Sequence, residues 1–147
     1  MRKVALLATL VLALALFVPA SSSAAGKLKL EGAVALAQGS KVQLTVTKKS
    51  GHIGKITKLK FEGLPLNCQD GQTAAISGRT LRSFPVRGKD FTRRTKISGP
   101  GIRNGFFRVT GNFRRGGRVA KGAVRFSIKR TDGVGCGTGD LRWKATK

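Results

Sequence analysis

The chemistry open to this chain of 147 residues is narrow: two cysteines, one histidine and six carboxylates stand against 29 lysines and arginines. The cysteines are Cys68 and Cys136. Joined, they form one disulfide. Left free, Cys136 in the glycine-rich run Gly133-Val-Gly-Cys-Gly-Thr-Gly139 would need a base to become a nucleophile. The one histidine, His52, stands in Ser-Gly-His-Ile-Gly and reads as an exposed loop or strand-start residue rather than a general base. Paired carboxylates for glycoside cleavage would have to come from Glu31, Glu62, Asp70, Asp90, Asp132 and Asp140, and no two of these share a recognisable signature. The nucleophile elbow, the zinc-binding His-Glu-x-x-His helix, a Cys/His zinc cluster and the phosphate loop with its lysine are all missing. The expectation is a protein that is not an enzyme and has no catalytic residue, cofactor or metal.

Two local readings compete with that expectation. The glycine run around Cys136 could bring backbone amides close to an anion, but no helix or lysine follows it, and it reads as a flexible turn that accommodates a disulfide at the mouth of the final strand. If the bridge forms, Asp70, Asp132 and Asp140 are drawn towards one end of the domain, where carboxylates can hold calcium. Asp70-Gly71 and Asp132-Gly133 are also common turn formers, and that is the preferred reading.

What remains is charge. The formal net charge is +23 at neutral pH, an excess that raises solubility, opposes compaction and attracts polyanions. Arginine grips phosphate, sulfate and carboxylate with a planar fork. Outward-facing positions place Arg108 on one strand of a proposed hairpin, Arg125 and Lys129 on its partner, and Arg114, Arg115 and Arg118 at the turn, so these six are the candidate anion-binding residues. A second basic group, Arg79, Arg82, Arg87, Lys89, Arg93, Arg94 and Lys96, falls in a less regular middle. The aromatic residues read as buried, which leaves no platform for stacking bases and argues against a specific nucleic-acid partner.

These groups are positioned by a chain with an export signal at its start. Arg2 and Lys3 precede an apolar stretch from Val4 to Val18, interrupted only by Thr9, and Pro19 to Ala25 is small and helix-breaking. The stretch is shorter than the ~20 apolar residues that span a bilayer, so residues 1–25 read as a cleaved signal, with Ser23-Ala24-Ala25 as the site and no integral span afterwards. No cysteine follows that stretch until Cys68, so a lipid anchor is not expected. Residues 26–147 are then a single exported domain, and loss of Arg2 and Lys3 leaves a formal charge of +21. Two cysteines in an oxidising compartment point to the Cys68–Cys136 disulfide.

Apolar residues in this domain recur at period two between Gly, Pro, Asn and Asp breaks, the pattern of short strands with one buried face. Leu28, Leu30, Val34 and Leu36 share one parity, Gln38-Gly39-Ser40 makes a turn, and Val42, Leu44 and Val46 follow as an adjacent antiparallel strand. Ile53, Thr57, Leu59 and Phe61 form the next face, and Gly63-Leu64-Pro65-Leu66 ends that strand. Residues 69–105 are irregular, with apolar pieces at Ile76, Leu81, Phe84-Pro85-Val86 and Phe91. Phe107, Val109, Gly111 and Phe113 face inward opposite Arg108, Thr110 and Asn112, and Arg114 to Arg118 is a hairpin turn. Val119 is odd whereas Val124, Phe126 and Ile128 are even, which predicts a bulge near Gly122. After a turn at Asp132-Gly133, the last strand buries Leu141, Trp143 and Ala145. Six to nine strands with no helical repeat favour an all-β, antiparallel sandwich or flattened barrel.

The strand Phe107-Arg-Val-Thr-Gly-Asn-Phe, the Lys-Gly-Ala-Val return strand and the terminal Cys-Gly-Thr-Gly followed by Leu-Arg-Trp-Lys-Ala resemble small uncharacterised exported β-proteins of Gram-positive actinobacteria. The resemblance covers most of residues 26–147. It implies the fold and, because that group has no assigned activity, assigns no functional residue. The functional expectation is an exported basic β-domain, secreted or associated with the cell envelope, that binds anionic polymers of the envelope or extracellular matrix. The alternative is a structural envelope protein whose charge serves solubility or loose wall retention, with no dedicated ligand. The oligomeric state is not readable from the chain.

Overall fold

A computed structural model describes residues 26–80 and 82–147. The export signal read in residues 1–25, and Leu81 of the irregular middle, lie outside the described residues. The fold is all-β. The strands are β1 (Gly26–Val34), β2 (Lys41–Lys49), β3 (His52–Cys68), β4 (Thr73–Arg79), β5 (Phe84–Pro85), β6 (Asp90–Lys96), β7 (Ile102–Arg114), β8 (Val119–Arg130), β9 (Gly135–Gly137) and β10 (Leu141–Thr146), with one 3-10 turn at Arg115–Gly117. Six of them close a ring in the order β1, β2, β3, β9, β8, β10 and back to β1. β7 and β6 extend from the far edge of β8, while β4 and β5 pair with the far edge of β3. The irregular middle thus supplies three of the four strands outside the ring, β4, β5 and β6.

Alternation builds the first hairpin as read, with Leu30, Val42, Leu44 and Val46 all buried and β1 paired in register with β2. Its tip differs. Leu36 is not on the buried face: β1 ends at Val34, and Leu36 sits in the turn at φ 62 with 99% of its surface exposed. The buried Ser40 explains the stop, because its hydroxyl accepts from the Val34 N–H (3.1 Å) and donates to the Val34 carbonyl (3.4 Å), which ends the ladder there. A leucine in left-handed backbone is strained. Leu36→Gly should therefore leave stability unchanged or raise it by up to about 1 kcal/mol, whereas truncating a core leucine would cost about 2–5 kcal/mol. Denaturant unfolding separates the two.

β3 departs most from simple parity. Its pairing with β2 skips Gly54 and Thr57, each an extra residue opposite a regular partner strand. These bulges move the buried position to Ile56, which is fully enclosed, and leave Thr57 half-buried with its hydroxyl donating to the Thr45 carbonyl at 3.1 Å. The strand also does not end at Gly63-Leu64-Pro65-Leu66. Gly63, at φ 66, lies in an irregularity of the pairing with β4, and Leu64 and Leu66 continue the buried face towards Cys68. There, β9 takes over from β2 as the neighbour of β3, pairing Cys68 with Cys136. The glycine run is therefore a short strand rather than a flexible turn, and it closes the ring. The Cys68–Cys136 disulfide joins the two strands with a Cα–Cα distance of 4.0 Å.

Phe107, Val109 and Phe113 on β7 are buried as read. The β7–β8 register runs unbroken from Gly105↔Ile128 to Arg114↔Val119, so there is no bulge near Gly122. The parity conflict disappears because the buried residue is Ala120, not Val119. Gly122 lies opposite Gly111, and Trp143 of β10 lies opposite Gly122. The absent side chain of Gly111 leaves room for rings, since a Cβ there would run into Phe91 and lie 2.9 Å from the Trp143 indole, whereas a Cβ on Gly122 would run into the backbone of β7 at Thr110. Phe91, Phe61 and Phe107 surround that space, with ring centroids 6.1 Å (Phe91–Trp143) and 5.9 Å (Phe61–Trp143, Phe61–Phe107) apart. This aromatic cluster fixes the sheet that carries the candidate site on its other side.

Candidate anion-binding face

Burying one face of β6, β7, β8 and β10 turns their alternate residues to solvent, and the registers sort these into rows. Arg94, Arg108 and Arg125 are directly opposite one another across β6, β7 and β8. On one side of them lies the row Lys96, Phe106, Ser127. On the other lie Thr92, Thr110, Ala123, Arg142 and then Asp90, Asn112, Lys121, Lys144. Of the six residues read from the sequence, Arg108, Arg114, Arg125 and Lys129 share this face, with Arg114 opposite Val119 at one end and Lys129 opposite Asn104 at the other. Arg115 and Arg118 lie in the exposed turn beyond Arg114 rather than on the sheet.

The sequence reading missed Arg94 as the third member of the central row, along with Lys121, Arg142 and Lys144. Their signal was parity along β6, β8 and β10, hidden at β6 because the strand was not recognised. The second basic group does not assemble as one patch. Arg94 and Lys96 join the outer face, Arg93 points its guanidinium to within 5.8 Å of the Phe84 ring centroid, Arg79 lies opposite Lys60 on β4, and Arg87 belongs to a tight turn with Asp90. The expectation that the aromatic residues are buried also fails at one position. Phe106 sits on the outer face, only partly buried, with the Arg94 guanidinium carbon 4.2 Å from its ring centroid.

Cross-strand neighbours have Cβ atoms ~5 Å apart, and like charges placed there destabilise a sheet. Against three guanidinium groups the face offers two carboxylates: Asp90, taken up by a hydrogen bond from Asn112 at 2.6 Å, and Asp140, 3.7 Å from Arg125, with the Asp140 and Arg125 side chains 70% and 49% exposed. Water screens such a pair, so it offsets little. The opposite side of the ring is chemically different. Residues 26–78 contain no arginine, and the outer faces of β1, β2 and β3 carry Lys27, Lys29, Lys41, Lys58 and Lys60 with Glu31 and Glu62. Lys60 holds the Glu62 carboxyl below its ordinary range by hydrogen bonding and charge.

Asp70 and Asp132 are brought together, but by a cation. Arg130 donates to Asp70 Oδ2 at 2.9 Å and Asp132 Oδ2 at 2.6 Å. Each aspartate also caps its own turn, accepting from the Gln72 N–H (3.1 Å) and the Val134 N–H (3.0 Å). Asp140 instead faces Arg125. Among the described residues, no group of three or more His, Cys, Asp or Glu is placed to hold a metal ion. His52 opens β3 opposite Lys49 and is exposed. No helix among the described residues is long and apolar enough to cross a membrane. No protein-family model, curated protein or solved structure matches the chain, so the reading of this face rests on its own geometry.

Proposed function

We propose that this is an exported, non-enzymatic binding module that retains anionic polymers of the cell envelope or extracellular matrix on the outer face of β6, β7 and β8. The observation that carries the reading is the Arg94–Arg108–Arg125 row. An unbound sheet gains nothing from three opposed guanidinium groups, whereas an anion laid across them relieves their repulsion and fills their planar forks. The concentration of arginine beyond residue 78 supports a dedicated surface over charge spread for solubility. The disulfide fits the oxidising side of a membrane.

The test compares two sets of glutamine substitutions of equal charge. One covers Arg94, Arg108, Arg114, Lys121, Arg125 and Lys129; the other covers Lys27, Lys29, Lys41, Lys49, Lys55 and Lys58, all exposed. Affinity for a sulfated glycan and for a phosphodiester polymer is measured across a salt series. The first set is expected to lower affinity at least about tenfold and to reduce the slope of log K against log salt by about 0.7–0.9 for each anionic group no longer neutralised. The second set should do much less. Arg108→Thr alone should weaken binding while raising thermal stability slightly at low salt, because it removes the middle charge of the row. Equal losses from both sets would mean that net charge alone is responsible, and would favour the structural envelope protein.

A further inference from the structure

We propose that the polymer this face takes is an extended single-stranded nucleic acid, bound without regard to sequence, with a base stacked on the Arg94–Phe106 pair and its phosphates crossing the arginine row as the chain runs along β7. The inference rests on the outer face being the binding face and adds the class of ligand. Phe106 is the aromatic side chain on that face, and Arg94 lies 4.2 Å from its ring centroid, so the two form a guanidinium plane backed by an aromatic ring. Bases stack on such planes, and the contact tolerates any base because every base has a π-face. A depression of about 490 Å³ surrounds the pair, with Asn104 and Ser127 on its rim. Beside it, the Arg108–Arg125 position opens a smaller hollow of about 220 Å³ floored by Thr110 and Ala123. Beyond that, a hollow of about 720 Å³ continues between Arg114, Lys121 and Arg142.

These hollows succeed one another along β7, whose eight residue steps from Phe106 to Arg114 cover roughly 27 Å at ~3.4 Å per step. A chain following them meets the aromatic pair at one end and then cations set among small residues, passing one carboxylate, Asp140, which lines both of the further hollows beside Arg125. A duplex keeps its bases inside and has no use for that pair. A sulfated glycan needs the cations alone.

Fluorescence anisotropy with three probes decides the matter: an oligothymidylate of about 12 nucleotides, within the range one small β-barrel module covers, an abasic phosphodiester of the same length, and a sulfated glycan of matched charge. The oligothymidylate should bind roughly tenfold more tightly than the abasic chain, the scale of one stacked base. Phe106→Leu, which keeps the apolar volume, should erase that preference while leaving abasic affinity and the salt slope unchanged, and Arg94→Lys, which keeps the charge but loses the planar fork, should erase it too while weakening all three probes modestly. Melting curves confirm that both variants fold. Equal affinity for the base-bearing and abasic chains, tighter binding of the glycan than of either, or a preference that survives both substitutions would overturn the inference. If the outer-face glutamine set leaves all three probes bound as before, the binding face itself is misassigned. If that set weakens all three and no base preference exists, only the ligand class is wrong.

Discussion

Serine at both Cys68 and Cys136 is expected to lower stability by about 2–5 kcal/mol, the cost of removing a native bridge from a small disulfide-bonded domain. Two contributions act in the same direction. The bridge spans 68 residues, and in the loop-closure account it removes roughly 4 kcal/mol of unfolded-chain entropy. It also sits where the ring is weakest. β9 has three residues and meets β3 at only two positions, Asn67↔Gly137 and Cys68↔Cys136, too short a ladder to hold against fraying without the covalent link. The double variant should therefore lose hydrogen-exchange protection at Asn67 and Gly137 before the rest of the barrel unfolds. Denaturant midpoints of the oxidised protein, the reduced protein and the variant measure the effect, and an unchanged midpoint would show the bond to be incidental.

Trp143→Ala should cost about 3–5 kcal/mol, the range for deleting a large buried aromatic. The side chain is 3% exposed and packs against Phe61 and Phe91 over the space that Gly111 leaves open. Neighbours cannot easily fill that space, because the glycine brings backbone to its floor. Trp143→Phe keeps a ring in place and gives up an indole N–H that has no hydrogen-bond partner among the described residues, so its cost should be a fraction of the alanine value. Wild-type Trp143 fluorescence should be blue-shifted. A near-neutral alanine variant would remove Trp143 from the core and with it the account of Gly111.

Alternation was enough to read the first hairpin, β7, β8 and β10, because in each the buried residues keep one parity over several positions. It failed where the chain breaks its own period for a local reason. Leu36 has the right parity for β1, but the Ser40 hydroxyl had already ended the strand, and a side-chain hydrogen bond across six residues leaves no periodic trace. Ile56 was passed over because bulges space the buried positions of β3 three apart. The bulge predicted near Gly122 came from the opposite error, giving weight to Val119 while the smaller Ala120 occupied the buried site. For the candidate face, Arg108 and Arg125 were legible from their place in one hairpin. Arg94 was not, since its strand pairs with β7 across a loop of five residues, 97–101, and nothing local announces the partner. Phe106 was hidden because the aromatic residues were read as buried as a class, although adjacent strand residues such as Phe106 and Phe107 face opposite ways.

Striking Gly54 and Thr57 from the stretch 53–61 leaves Ile-Lys-Ile-Lys-Leu-Lys-Phe, a strictly alternating strand. The two residues therefore do nothing for the choice of which side chains are enclosed; a chain shortened by both would keep every one of them on its present side. What it would lose is coil, since each inserted residue adds right-handed twist where it interrupts the ladder, and a sheet that must bend back to meet its own first strand needs that curvature. The hydrophobic code of β3 and the shape of β3 are written in different residues, and length can be edited at Gly54 and Thr57 to flatten the wall without rewriting its inside.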